Sequence, residues 1–189
     1  MAIFSPTSPS SRNTWTVALD TANPRPDLIE AIIRVNDKVP GLRIIVDHLP
    51  AMMWRLDAAA KTAVEGSLRE LAKRPSVHIK VSEVMRIADG KPSTDPALYK
   101  PLLDHLFDTF GEDKLVFGSD WPNGAAVDNL PAIVQIVRDY FYAKGQAAAE
   151  KYFWKNSLAA YRWRSRDPRQ PQLAGRGRER EPRVVIRFA

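Results

Sequence analysis

Short apolar segments recur along the chain, and each is followed by a stretch in which apolar residues repeat with helical spacing. The apolar segments are residues 14–20, 42–47, 77–82 and 115–118. Segments of this length, bounded by turn-forming residues, are typical of buried strands. Because strands that alternate with helices form βαβ units, the pattern predicts an α/β fold with a parallel sheet.

The helices predicted between these strands have recognisable starts and ends. They are residues 27–35, a second helix capped by Asp57, a third opened by Pro101 and closed by Gly111, a fourth opened by Pro131, and a fifth over residues 146–163. Aspartate caps a helix by accepting a hydrogen bond from a free backbone N–H, and proline fits the first helical turn. The chain therefore predicts about four βα units.

The third predicted strand has two unlike faces, because side chains alternate along a strand. Its odd-numbered positions are valine or isoleucine, and its even-numbered positions are His78, Lys80 and Ser82. An open sheet covered on both sides would have two apolar faces, whereas one face of a barrel wall lines an active-site mouth. We therefore predict a partial (β/α)8 TIM barrel, with Lys80 pointing inward and His78 either in the interior or at the rim.

Composition divides the chain into three parts. One globular domain is predicted over residues 14–165, since 44% of the chain is hydrophobic and a core of useful size can form. The Ser- and Pro-rich residues 1–13 are predicted to be a disordered lead-in. The Arg-, Pro- and Gly-rich residues 166–189 cannot support a packed core and are predicted to be a disordered tail.

Charge is concentrated in the tail. From residue 162 onward nine arginines face three acidic residues, which accounts for the whole net charge of +6. The folded body is therefore neutral, and we do not expect it to bind nucleic acid. A tail that binds RNA or an acidic partner is a further hypothesis.

The chain has no cysteine, which excludes disulfides and thiolate metal sites and favours the cytoplasm. Neither a signal peptide nor a membrane span is predicted.

Two side chains with acid–base chemistry follow predicted strands directly. His48 ends the second strand, and Asp120 ends the fourth. In a parallel sheet both would meet at one rim, with Lys80 and Ser82 on the strand between them. An ionised Asp120 can accept a proton from water, His48 can bind a metal or a developing oxyanion, and Lys80 can hold an anionic group.

Each of these residues also has a structural interpretation. Asp120 can be a turn residue, and Lys80 can form a structural ion pair. His105 lies between two aspartates at helical spacing but is interpreted as part of a solvated face. The chain has no glycine-rich phosphate loop, no Gly-x-Ser-x-Gly elbow and no His-Glu-x-x-His, which excludes nucleotide, serine-hydrolase and zincin classes.

Four motifs resemble a known family. They are VDHLP at residues 46–50, HIKVSEV at 78–84, FGEDKLVFGSDWP at 110–122 and KYFWKNSLAAYRW at 151–163. In this order they resemble strands 5 to 8 of the amidohydrolase-related, lactonase-like family of metal-dependent TIM-barrel hydrolases, over residues 15–163.

The resemblance implies hydrolysis of a lactone, ester or amide-type carbonyl of a small organic acid. Asp120 would activate water, with or without a divalent, zinc-like metal held by His48 and Asp120. His48 would assist at the metal or the substrate oxygen, while Lys80, Ser82 and Trp121 would face the substrate.

The chain departs from the family pattern at one point. The family carries a His-x-His pair on its first strand, and this sequence contains no His-x-His. We therefore expect a truncated copy that has reduced or no activity alone. The alternative is a non-catalytic half barrel that associates with itself, as a homo-oligomer, or with a partner such as the missing N-terminal half.

Overall fold

The folded part of the chain alternates between strands and helices. The computed structural model describes residues 18–123 and 129–162. Its strands are β1 (Ala18–Thr21), β2 (Arg43–Val46), β3 (Val77–Val81), β4 (Arg86–Ala88), β5 (Lys91–Ser93) and β6 (Leu115–Phe117). Its helices are α1 (Pro26–Lys38), α2 (Leu49–Arg55), α3 (Ala58–Ala72), α4 (Pro96–Phe110), α5 (Leu130–Ala143), α6 (Gln146–Glu150) and α7 (Asn156–Tyr161), with a π-helical turn, Lys151–Lys155, between the last two.

Four strands form one parallel sheet in the order β1-β2-β3-β6, and β4 and β5 form a separate antiparallel hairpin. The register pairs Thr21 with Val46, Val46 with Ile79, and Val81 with Phe117. The carboxyl ends of all four parallel strands therefore meet at one edge of the sheet. The prediction of an α/β fold with four parallel strands is confirmed.

One face of the sheet forms the main core. Ile44, Val46 and Ile79 are fully buried there, together with apolar residues of α1, α3 and α4. Asp57 caps α3 as predicted, because its carboxylate accepts a hydrogen bond from the backbone N–H of Ala60 at 2.8 Å. The helices are thus anchored on the apolar face that the strand pattern indicates.

The opposite face is covered by α7. Ile45 and Val116 lie on this face and pack against Ala160. Their register partners on β3 are His78 and Lys80, respectively. The helix therefore packs on the face that carries the polar side chains of β3, which is the face predicted to line a barrel.

The prediction that Pro101 opens a helix is wrong. The helix α4 begins at Pro96, and Asp95 caps it by accepting a hydrogen bond from the backbone N–H of Ala97 at 2.9 Å. Pro101 lies inside the helix, where it removes one backbone hydrogen bond. Packing of buried leucines such as Leu103 outweighs this loss. Gly111 ends the helix as predicted, with a φ of 72°.

Two other elements differ from the sequence expectation. Residues 49 and 50 begin α2, a helix that the sequence pattern did not predict, and a proline is tolerated in a first helical turn. The predicted helix over residues 146–163 is divided by the π-helical turn. Asn156 then begins α7, and its side-chain amide donates to the backbone carbonyls of Glu112 and Leu115 at 2.7 and 2.8 Å. These bonds fix α7 to the start of β6.

Several predictions fall on other parts of the chain. The disordered lead-in of residues 1–13, the first four positions of the first predicted strand and the tail of residues 166–189 lie outside the described residues. The aromatic end of the last predicted helix, Trp163, also lies outside them. Within residues 18–123 and 129–162, no helix has the length and apolar character needed to cross a bilayer.

His78 is buried beside β2, and this position lowers the pKa of its ring. Burial disfavours the charged form and, with the nearby charges of Lys114 and Arg43, lowers the pKa from 6.5 to about 4. Its Nδ1 has no hydrogen-bond partner among the residues that the structure describes. The ring is therefore neutral in the folded chain near neutral pH.

We expect the free energy of unfolding to fall as the pH is lowered from 6.5 to about 4. Between these values the unfolded chain binds a proton at His78 that the folded chain does not, so acid favours unfolding. The free energy of unfolding that is lost in this way amounts to about 3 kcal/mol once the pH is below both pKa values. Urea unfolding of the unsubstituted chain and of His78→Leu, from pH 7 to 4, measures it.

The variant should lose most of this pH dependence. The control is His105→Gln, because His105 is only half-buried and contacts Glu65 on α3 at 3.2 Å. That variant should keep the pH dependence due to His78. An unchanged pH dependence in His78→Leu would contradict the interpretation.

Candidate active site

Residues with left-handed backbone conformation follow all four parallel strands at their carboxyl ends. They are Asn23, His48, Glu83 and Asp120, with φ values of 52°, 57°, 55° and 60°. A positive φ is uncommon for residues other than glycine, and such positions cluster at functional sites. Here the conformation turns the chain sharply after each strand. It places His48 and Asp120 on the rim where the strands end.

His48 and Asp120 face each other across this rim. The distance from His48 Nε2 to Asp120 Oδ1 is 3.7 Å, and both side chains are about nine-tenths buried, with exposed fractions of 15% and 13%. This distance is slightly longer than a hydrogen bond, and catalytic contacts are often long before substrate binds. The structure therefore brings together the two residues that the sequence indicates as an acid–base pair.

Ser82 lies behind the ring of His48. Its Oγ is 2.9 Å from His48 Nδ1 and accepts a hydrogen bond from the backbone N–H of His48 at 3.3 Å. The side chain is fully buried. Ser82 thus contacts His48 rather than the open rim, and its predicted contact with substrate stays a prediction.

Lys80 lies in an ion-pair cluster on the same face of the sheet. Its Nζ is 2.7 Å from Asp47 Oδ1 and 3.9 Å from Asp20 Oδ1, and it lies 5.7 Å from the ring centre of Tyr161. Burial alone would lower the pKa of Lys80, but the carboxylate of Asp47 outweighs burial and raises it. The ammonium therefore stays charged. It forms the structural ion pair, which was one of the two interpretations of Lys80 from the sequence.

Tyr161 completes this cluster from α7. Its hydroxyl donates to Asp20 Oδ1 at 2.9 Å, and burial raises the pKa of Tyr161 to about 12. The cluster of Asp20, Asp47, Lys80 and Tyr161 fixes the end of α7 against the polar face of β3. It lies directly beneath the rim that carries His48.

Gly118 allows β6 to approach β3 closely at this point. A Cβ atom at position 118 would lie 2.8 Å from Cγ and Cδ of Lys80 and 2.8 Å from Cβ of Ser82. Contacts this short do not occur between ordinary side chains, so any larger residue must displace one of them. Sequence reasoning did not single out Gly118, although its place at a strand end beside Asp120 was a signal.

We expect Gly118→Ala to destabilise the fold by about 1 to 3 kcal/mol through overpacking. The added methyl group meets Cβ of Ser82, which cannot move without the strand, so His48 should shift as well. Gly66→Ala is the matched control, because Gly66 lies in α3 with open space around its missing Cβ. It should stabilise the helix by about 0.5 to 1 kcal/mol. Urea unfolding measures both, and equal effects would contradict the packing argument.

A pocket of about 260 Å³ opens beside Asp120. Its wall is formed by the end of α2 and by residues just after β3, including the hairpin. The lining residues are Ala51, Trp54, Arg55, Glu83, Met85, Arg86, Ile87, Asp120, Asn123 and Ile133. Arg55 pairs with Glu83 at 3.0 Å.

The β4–β5 hairpin is held in place by Tyr99 on α4. The Tyr99 hydroxyl accepts from the backbone N–H of Arg86 at 3.2 Å and donates to the carbonyl of Ser93. Trp121 is 57% exposed and is not among the described residues that line the pocket. Its predicted contact with substrate stays a prediction.

The residues described supply two of the ligands that a catalytic divalent metal needs. A catalytic zinc generally takes three protein ligands, and His48 and Asp120 are two. No group of three or more histidine, cysteine, aspartate or glutamate side chains suited to a metal occurs among residues 18–123 and 129–162. His48 and Asp120 alone therefore do not fit the predicted zinc-like ion.

The fold and the rim together define a class of protein. A parallel α/β sheet with an imidazole, a carboxylate and a pocket at the carboxyl ends of its strands is the arrangement of α/β enzymes whose sites are built on strand ends. The family model of the amidohydrolases matches residues 13–163, and the chain belongs to this family. The resemblance drawn from the four sequence motifs is confirmed.

Two curated relatives are lactonases. The chain is 31% identical over 97 residues to L-fucono-1,5-lactonase of Burkholderia ambifaria, a match that covers 51% of this chain and 32% of that protein. It is 30% identical over 122 residues to L-fucono-1,5-lactonase of Burkholderia multivorans, covering 61% of this chain and 41% of that protein. The matched segments thus cover well under half the length of these relatives.

Solved structures share the fold. An amidohydrolase from Burkholderia multivorans with bound HEPES superposes with a TM-score of 0.61 at 22% identity, covering 76% of this chain and 53% of that chain. A second crystal form of an amidohydrolase from the same organism, with bound zinc, gives a TM-score of 0.59 at 20% identity and covers 76% and 52%. At this identity the likeness establishes the fold alone.

Proposed function

We propose that this chain carries the His–Asp part of a lactone-hydrolysing site, acting on the lactone or ester of a small organic acid. The observation that carries the proposal is the 3.7 Å approach of His48 Nε2 to Asp120 Oδ1 at the strand-end rim, beside a pocket. The two lactonase relatives support a cyclic ester as substrate class. The pocket volume of about 260 Å³ suits a single small ring.

The proposed mechanism assigns one role to each side chain. Asp120 accepts a proton from water, and the water oxygen bonds to the lactone carbonyl carbon. His48 donates a hydrogen bond from Nε2 to the carbonyl oxygen as that oxygen becomes negative. The bond from the carbonyl carbon to the ring oxygen then breaks, and the ring oxygen takes the proton from Asp120. The product is the open hydroxy acid.

We infer further that the four-stranded sheet is part of a (β/α)8 barrel. The parallel strand order, the large helix-covered core on one face and the site at the carboxyl rim are features of a barrel wall, and α7 packs on the other face. A divalent metal remains part of the proposal only if ligands beyond His48 and Asp120 are supplied by other residues. We place the reaction in the cytoplasm, as the cysteine-free sequence predicts.

A second candidate function is association without catalysis. Within the described residues, β1 and β6 each pair with one neighbour in the sheet, so each presents an edge. Unpaired strand edges are templates for pairing with another chain. A half barrel that joins a second copy or a separate N-terminal half is therefore the competing proposal.

One experiment separates these two candidates. Purified chain is fractionated with light-scattering detection, and each fraction is tested with L-fucono-1,5-lactone and D-glucono-1,5-lactone by a pH-indicator assay, after metal analysis. Turnover above the spontaneous rate in any fraction supports lactone hydrolysis. A chain that associates and hydrolyses neither lactone, with or without added Zn²⁺ or Mn²⁺, supports the second candidate. A monomer without turnover contradicts both.

A further inference from the structure

Ser82 is the residue whose hydrogen bonds reach His48 from behind. Three facts define its position: its Oγ is 2.9 Å from His48 Nδ1, it accepts the backbone N–H of His48 at 3.3 Å, and its side chain is fully buried. A serine hydroxyl has one proton to donate and two lone pairs that accept. The hydrogen-bonding capacity of this one oxygen therefore constrains the protonation of the ring.

Two arrangements of the ring proton are possible. If His48 carried its proton on Nδ1, Ser82 Oγ would accept from both the ring and the backbone N–H. The buried hydroxyl proton would then have no acceptor among the partners that the described residues provide, which is costly. If Ser82 instead donates to Nδ1, every polar atom of the pair is used. The ring proton then lies on Nε2.

The carboxylate of Asp120 favours the second arrangement. Asp120 Oδ1 lies 3.7 Å from Nε2, and an ionised carboxylate only accepts hydrogen bonds. A proton on Nε2 points toward that negative charge, whereas a lone pair there would repel it. The two neighbours of the ring therefore act in the same direction.

We infer that Ser82 is a positioning residue that holds the neutral ring of His48 in the Nε2–H form, so that its donor points at Asp120 and at the substrate oxygen. This inference deepens the proposed hydrolysis and rests on it for its catalytic meaning. The hydrogen bonds on which it depends are present with or without turnover. Gly118 supports the arrangement, because its missing side chain leaves room for Cβ of Ser82.

The test observes the ring nitrogens of His48 directly. The chain is labelled with ¹⁵N, and two-bond ¹H–¹⁵N spectra recorded near neutral pH without added metal assign the protonated ring nitrogen. The His48 signals are identified by their loss in His48→Gln. The expected result is a proton on Nε2 in the unsubstituted chain, and a shift of both ring nitrogens toward their average in Ser82→Ala.

Two further variants keep the result interpretable. Ser82→Cys keeps the shape of the side chain with a somewhat larger terminal atom and is a weaker donor, so it should move the His48 nitrogens in the same direction. Ser76→Ala is the matched control, because Ser76 is another hydrogen-bonded serine near β3, at the opposite end of the strand. It should leave the His48 spectrum unchanged.

Distinct outcomes separate this inference from the proposed function. A proton on Nδ1 in the unsubstituted chain overturns it, as do unchanged His48 nitrogens in folded Ser82→Ala and Ser82→Cys. If lactone turnover is present, Ser82→Ala should lower kcat by about tenfold with little change in KM. The expected spectra without turnover would support the positioning role while contradicting hydrolysis by this chain.

Discussion

Asp120→Asn is expected to lower the rate of lactone hydrolysis by about a hundredfold or more and to leave the fold intact. The amide keeps the size and one oxygen of the carboxylate but cannot take a proton from water. Asparagine also tolerates the left-handed backbone at this position, where φ is 60°. The backbone N–H of Asn123 can still donate to the carbonyl of residue 120, as it does at 2.8 Å in the native chain.

Initial rates with L-fucono-1,5-lactone, compared with urea unfolding of the same samples, measure the effect. Asp108→Asn is the matched control, because Asp108 is exposed near the end of α4 that leads to the start of β6, whereas the rim lies at the carboxyl end of that strand. It should keep both full turnover and full stability. Unchanged turnover in Asp120→Asn would remove this carboxylate from the mechanism, whatever the cause of the activity.

The rim could be predicted because it depends on local order along the chain. His48 and Asp120 each follow an apolar strand directly, and parallel strands end at one edge. The alternation of β3 likewise placed Lys80 on the face opposite the main core, where the structure has it. A sequence pattern can predict the position of a residue along a strand and the direction of its side chain, because both are local properties.

The partners of these residues could not be predicted in the same way. The pairing of Lys80 with Asp47 depends on the register between β2 and β3, in which Val46 lies beside Ile79. A shift of this register by one residue would move Asp47 away from Lys80. The contact of Tyr161 with Asp20 joins residues 141 positions apart. Register and long-range packing are set by the whole core, so no short motif reports them.

The hairpin was missed, and the start of α4 was misplaced, for a related reason. The strands β4 and β5 are three residues each and carry no apolar alternation. They are held by Tyr99, whose hydroxyl reaches backbone groups of both strands from α4. Either Pro96 or Pro101 could have opened α4. The helix begins at Pro96 because Asp95 caps it there. Both cases show tertiary and capping contacts overriding a plausible local pattern.

Lys80→Met is expected to lower the free energy of unfolding by about 3 to 5 kcal/mol. Lys80 Nζ lies 2.7 Å from Asp47 Oδ1, and the two side chains are only 18% and 15% exposed. Methionine fills nearly the same volume but leaves the carboxylate of Asp47 buried without its counter-charge. Asp20 is a second carboxylate that loses this neighbour, at 3.9 Å. Urea unfolding at neutral pH measures the loss.

Lys73→Met is the matched control. Its Nζ also contacts a carboxylate, Glu70 Oε2 at 3.1 Å, but the two side chains are 75% and 43% exposed. Exposed pairs of this kind contribute at most about 1 kcal/mol. Equal losses in the two variants would show that burial of the Lys80 pair does not matter.

The pH dependence gives a second test of the same pair. Burial already raises the pKa of Asp47, while Lys80 acts to lower it. Without Lys80 the folded-state pKa of Asp47 rises further above its unfolded value, so the folded variant binds a proton more readily than the unfolded one. The stability lost in Lys80→Met should therefore shrink as the pH is lowered, relative to the unsubstituted chain.

Adding Asp47→Asn to Lys80→Met should recover most of the lost stability at neutral pH, because the amide needs no counter-charge. A double variant no more stable than Lys80→Met alone would contradict the ion pair as the cause.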